Sequence, residues 1–110
     1  MSATREDLVG QLVYKIAQHS DFDAIHRLNY ETFVEEIPQH APNPERRLID
    51  RFHAENTYVI CLSDGHLIGM VCGRSQRPFS LDQKLVHLDS WLPSCRKVVE
   101  IRLLAVAHAH

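Results

Sequence analysis

No run of apolar residues in this 110-residue chain approaches the length of a membrane helix, which needs about 20 of them. The opening stretch, MSATREDLVG, is charged and has no apolar core, so it is not expected to act as a secretory signal. A cytoplasmic location is the resulting expectation. Cysteine is scarce. Cys61, Cys72 and Cys95 are odd in number and show no C-x-x-C spacing, which argues against a disulfide framework and a zinc knuckle. All three are expected to be reduced thiols, two of them buried. Charge of one sign is lacking as well. Twelve basic residues face fourteen acidic ones, a net charge of -2, which offers no basic surface for nucleic acid. There is no internal repeat and no low-complexity tract.

What is present is ordinary globular material, 45% hydrophobic and 24% charged. A single domain of this length buries roughly two thirds of the surface its unfolded chain exposes. Gln11 to Gln18 reads as a first strand. Ser20, with Asp23 three residues on, reads as a helix start. The spacing of Phe22, Ile25, Leu28, Phe33 and Ile37 predicts a helix over 21–36 that Pro38 ends. Asn43-Pro44 is a second start signal, for a short helix to about Glu55. Its buried face would be Leu48, Ile49 and Phe52, with Arg46, Arg47 and Arg51 solvated.

Thr57 to Leu62 is a strand, Asp64-Gly65 a tight turn and Leu67 to Arg74 the returning strand. A regular two-residue turn places Ile60 opposite Gly69 and Val59 opposite Met70. Both faces of that hairpin are apolar, which predicts a sheet covered on both sides. Cys61 and Cys72 then lie too far apart to bridge. Ser75 to Lys97 is a long excursion, and Ser80-Leu81-Asp82-Gln83 predicts a short helix inside it. Leu81, Leu85, Leu88 and Trp91 would cover part of a core or a ligand. Val98 to Val106 is the last strand. The order is β-α-α-β-β-(α)-β, a mixed α/β fold whose antiparallel sheet is flanked by helices.

In VVEIRLLAV, Val99, Ile101, Leu103 and Ala105 form one face, an expected core face. Glu100, Arg102, Leu104 and Val106 form the other. Two charges entering a central strand need pairing or solvent. A cleft on that side supplies it; so does a plain ion pair between Glu100 and Arg102.

The element order and this strand resemble the N-terminal half of the GNAT superfamily of N-acetyltransferases. The fourth strand there often reads E-x-R-x-L-A-V, as Glu100, Arg102, Leu104, Ala105 and Val106 do here. The resemblance implies acetyl-CoA, or another acyl-CoA, as cosubstrate. Its pantetheine arm would pair with backbone at Leu104, Ala105 and Val106. It also implies Glu100 as general base toward a small-molecule or peptide amine, with no metal. A base for that step needs a pKa near neutrality; burial raises one, and Arg102 opposes the rise.

The resemblance runs from Val13 to Val106. The family's next motif, a Q/R-x-x-G-x-G/A loop whose N–H groups hold the CoA pyrophosphate, does not occur in the printed residues, which finish Ala107-His108-Ala109-His110. The chain, 1–110, is thus expected to be one incomplete domain of this type, truncated after the fourth strand, that binds CoA weakly.

LNYETFVEEIPQH followed by the DG hairpin also resembles the acyl-homoserine-lactone and N-acyl amino acid synthase branch of that fold. There an Arg often stands four residues before the Phe; here Asn29 precedes Phe33. A third expectation is a non-catalytic half-domain used for ligand sensing or association. The apolar edge of the last strand, Leu103 to Ala107, predicts a homo-oligomer. Nucleic-acid and membrane partners are not expected. His108 and His110 share one side of the strand end without a third ligand; the other histidines are expected mostly at the surface.

Overall fold

The computed structural model describes residues 12–94 and 96–108. Four strands, β1 (Leu12–Ile16), β2 (Thr57–Ser63), β3 (His66–Arg74) and β4 (Glu100–Val106), form one sheet. Their spatial order is β1-β2-β3-β4, and every neighbouring pair is antiparallel. Among these residues one α-helix, α1 (Phe22–Tyr30), lies against the sheet. The expected mixed α/β class with an antiparallel sheet is what the chain forms. Gln11, expected in the first strand, falls outside the described residues.

The first helix starts differently from expectation. Ser20 lies inside a 3-10 turn, His19–Asp21, and the Gln18 N–H donates to the Asp21 carboxylate at 2.8 Å. The amphipathic spacing of Ile25 and Leu28 then buries one side of α1. Beyond Tyr30 the turns widen into a π-helical stretch, Glu31–Glu36, closed by the Ile37 N–H on the Thr32 carbonyl at 2.8 Å. Such stretches are rare and tend to occur at functional sites. Ile37, expected on the buried face, is turned outward.

The second helix expected over 44–55 does not form. The Asn43 side chain accepts the Arg47 N–H at 3.3 Å and donates to the Arg47 carbonyl at 2.9 Å. Arg46 has a left-handed φ of 54°. The Leu48 N–H then leaves for the His26 carbonyl, at 3.0 Å. An asparagine that binds its own neighbourhood offers the backbone an alternative to helix. The segment crosses α1 as a tethered loop, and only a 3-10 turn, His53–Glu55, follows. Leu48 and Phe52 are half-buried, whereas Ile49 is exposed.

The hairpin turn is as expected, with positive φ at Asp64 and Gly65, the geometry that a two-residue turn between twisted strands requires. The register beyond it is not. Leu62 pairs with Leu67, but Cys61 pairs with Gly69 and Ile60 with Met70, so Ile68 is an extra residue. This bulge turns Met70 and Cys72 onto the face of Tyr58 and Ile60. A second shift separates Cys72↔Leu103 from Gly73↔Ile101 and leaves Arg102 as the extra residue of β4. Of the four expected core residues of that strand, only Ala105 is fully buried and Leu103 partly; Val99 and Ile101 are exposed.

The core is Ile25 and Leu28 of α1 packed on Tyr58, Ile60, Met70, Cys72 and Ala105. All of it lies on one face of the sheet. The expectation of a sheet covered on both sides fails: among the described residues nothing covers the other face. The excursion carries 3-10 turns at Ser80–Gln83 and Leu88–Ser90 in place of one short helix. Phe79 and Leu88 are buried, while Leu81, Leu85 and Trp91 face solvent. Arg77 ties this loop together by pairing with Asp82 and, at 2.7 Å, with Asp89.

Candidate functional site

The start of β4, the loop before β2 and the excursion after β3 meet at one place. Arg102, pushed toward the helical side by the bulge, is its centre. Its guanidinium grips Asp50 with two bonds, 2.9 and 3.2 Å, and donates to Ser80 Oγ at 2.8 Å and to Glu100 Oε1 at 3.4 Å. The side chains of Arg102 and Asp50 are only 11% and 10% exposed. Burial alone would push the Asp50 carboxyl up; hydrogen bonds from Arg102 and Asn56 more than offset it and hold that carboxyl below its ordinary value.

Phe52 is the floor of this cluster. Arg74 lies 3.9 Å from its ring centre, and Arg102 and Arg51 each 4.6 Å. Cations over an aromatic face gain from the ring quadrupole, most when shielded from water. Arg74 is itself almost fully buried, paired with Glu55 at 2.9 Å and donating to the Pro78 carbonyl at 2.7 Å. The Leu81 N–H reaches Glu100 at 3.4 Å. Two arginine–carboxylate pairs thus clamp the loop before β2 onto the end of the sheet, and the bonds to Ser80, the Pro78 carbonyl and the Leu81 N–H hold the excursion there.

Beside the clamp lies a cavity of about 690 Å³, walled by Asn29 and Phe33, by Leu48 and Asp50, and by Arg102 and Leu103. That volume is in the range of small-molecule sites. Asn29 is buried, its Nδ2 donates to the Leu48 carbonyl at 2.9 Å, and its Oδ1, closed off from solvent, has no partner among the described residues.

The expected cosubstrate residues separate into two sets. The Ala107 N–H donates to the Ile68 carbonyl at 2.8 Å. Because N–H directions alternate along a strand, Ala105 also points toward β3, while Leu104 and Val106 direct their backbone groups outward, away from the sheet. Ala105 is buried; Leu104 and Val106 are exposed. Glu100 is in the plain ion pair with Arg102 that the sequence allowed.

Sequence reasoning missed Asp50, which lies 52 positions from Arg102. Its signal was an acid inside the apolar run LIDRF. It also missed a histidine pair, His26 buried and His53 half-buried. The rings of His26 and His53 are 4.7 Å apart, His53 Nδ1 lies 2.9 Å from the Tyr58 hydroxyl, and His26 Nδ1 is buried without a partner among the described residues. Asn56 links Tyr58 onward to Asp50 at 3.3 and 2.8 Å, so a polar chain runs beneath the sheet from the histidines to Arg102.

No group of three or more potential metal ligands occurs among the described residues. His108 lies near Glu36, at 3.9 Å; His110 is outside the described residues. Burial pushes the Cys72 thiol up to about 11, which leaves it unreactive near neutrality. Cys61 is half-buried and Cys95 is outside the described residues. No helix among the described residues is long and apolar enough to cross a membrane. Comparison of the chain with protein-family models, with curated proteins and with solved structures found no match.

Proposed function

We propose that this chain is part of a GNAT-type N-acyltransferase that moves an acetyl or longer acyl group from acyl-CoA to an amine. The observation carrying this reading is the outer edge of β4. Leu104 and Val106 present backbone groups there that no described residue pairs, next to the clamp that holds Glu100 and the cavity that Asn29 walls. An extended amide-bearing chain such as pantetheine pairs with a strand edge as an added strand does. In the reaction the amine nitrogen attacks the thioester carbon, the C–S bond breaks and CoA departs as the thiolate, which takes its proton from water. Glu100 takes the proton that the amine loses, and Arg102 orients Glu100 through the 3.4 Å contact.

The test is a calorimetric titration of the chain with acetyl-CoA, followed by mass spectrometry of amine mixtures. Weak saturable binding is expected to survive Glu100→Gln, while acylation falls about 10²–10⁴-fold, the usual share of general-base catalysis. No heat at millimolar ligand sinks the reading. Binding without turnover favours the non-catalytic half-domain instead.

A second reading, N-acyl amino acid or homoserine lactone synthesis, is favoured by the basic side of the cavity. Arg51, Lys84 and Arg102 stand together in its walls. An acceptor with an anionic group would pair with them. Product identification with amino acid acceptors separates the two readings.

A further inference from the structure

The face of the sheet opposite α1 is largely apolar. Across the strands its rows read Leu12-Ser63-His66 at the hairpin end, then Tyr14-Cys61-Gly69-Val106, then Ile16-Val59-Val71-Leu104, then Thr57-Gly73-Ile101. None of these positions is an aspartate, glutamate, lysine or arginine. Tyr14, Ile16, Ile101 and Leu104 are 64–70% exposed, and Val59, Val99 and Val106 lie open beside them. Soluble proteins rarely leave a patch of this size bare without a partner.

We infer that this face is the interface between two copies of the chain, packed sheet against sheet. Charge argues for that occupant. A partner with charged groups would lose their hydration here and gain no counter-charge, whereas the same face on a second copy brings none. Area argues for it too. The open side chains offer on the order of 700 Å² per copy, or about 1,400 Å² for a pair, within the 1,200–2,000 Å² class of stable interfaces. Shape is compatible. Gly69 leaves a hollow between Cys61 and Val106, where a Cβ would meet nothing closer than 3.7 Å, while Val99 already fills the space over Gly73.

This interface differs from the edge pairing that the last strand suggests by itself. Face packing leaves the outward amides of Leu104 and Val106 free. It is therefore compatible with a ligand on that edge, although it does not depend on one.

Sedimentation velocity on the chain between about 1 and 100 µM tests the proposal, read with hydrogen exchange at Leu104 and Val106. The expected result is a dimer whose dissociation constant rises at least 100-fold in Ile16→Asp and in Leu104→Asp. Circular dichroism of each variant checks that it remains folded, and Tyr14→Ser gives a milder substitution at the same face. A monomer at 100 µM overturns the proposal. So does a dimer indifferent to all three substitutions, and so does one in which the Leu104 and Val106 amides become protected, the signature of edge pairing.

Discussion

The two faces of this sheet are built from the same four strands, and both are apolar, yet only one is a core. Tyr58, Ile60, Met70 and Cys72 are sealed by α1, while Val59 and Leu104, their chain neighbours or near neighbours, face outward. Composition does not distinguish the two. The difference lies in two single-residue bulges and in where the helix lands. The Ile68 bulge gathers Met70 and Cys72 under α1. The Arg102 bulge moves a guanidinium to the helical side, where Asp50 receives it. The covered face therefore carries both the core and the ion cluster, and the bare face carries neither.

The comparison breaks most sharply at Asp50. Asp50→Ala leaves Arg102 buried without its main partner, and removing one side of a buried pair typically costs about 3–5 kcal/mol. Urea unfolding should show a loss of that size, and a loss under about 1 kcal/mol would mean that water reaches Arg102 freely. Ile60→Ala comes next, at roughly 2–5 kcal/mol for a fully buried truncation. Its neighbour Val59→Ala, on the bare face, should change the unfolding free energy by less than about 1 kcal/mol and register instead as weaker self-association. Equal costs at positions 59 and 60 would mean that both faces are covered in solution.

The sequence shows the hairpin clearly because Asp64-Gly65 satisfies one turn geometry and few others. It shows the Glu100–Arg102 pair because residues two apart on a strand share a face. It does not show the bulges, since an extra residue is defined only against the partner strand. The helix expected after Pro44 failed for a related reason. Asn43 is a good helix start, but its side chain folds back on Arg47, and the Leu48 N–H finds a carbonyl on α1. Asp50 was legible as an acid in an apolar run but not as the partner of Arg102, because that contact joins distant segments. The histidines were read as surface groups because nothing local marks His26; burial comes from the loop that crosses it.

Acid sharpens the contrast between the faces by the smallest of these effects. Burial, and then the neighbouring His53, push the His26 imidazole below its ordinary value. Phe22 and Tyr58 complete the ring cluster around the pair. Arg47 adds to the lowering and Asp23 opposes it. With the folded value depressed, the unfolded chain binds the proton more readily. Stability from His26 is then complete above the unfolded value near 6.5 and declines as pH falls through the folded value. Replacing His26 by Gln should flatten unfolding free energy measured across that interval. On the bare face the Tyr14 hydroxyl is pushed upward by its bond to Cys61, away from this range, and His66 stands at the hairpin end, in the row Leu12-Ser63-His66. With His66 replaced by Gln, self-association should therefore hold constant from pH 8 to 5 while folding stability drops. If the two decline together in that variant and still do so when His26→Gln is added, a group other than these histidines links them, and the faces are not independent.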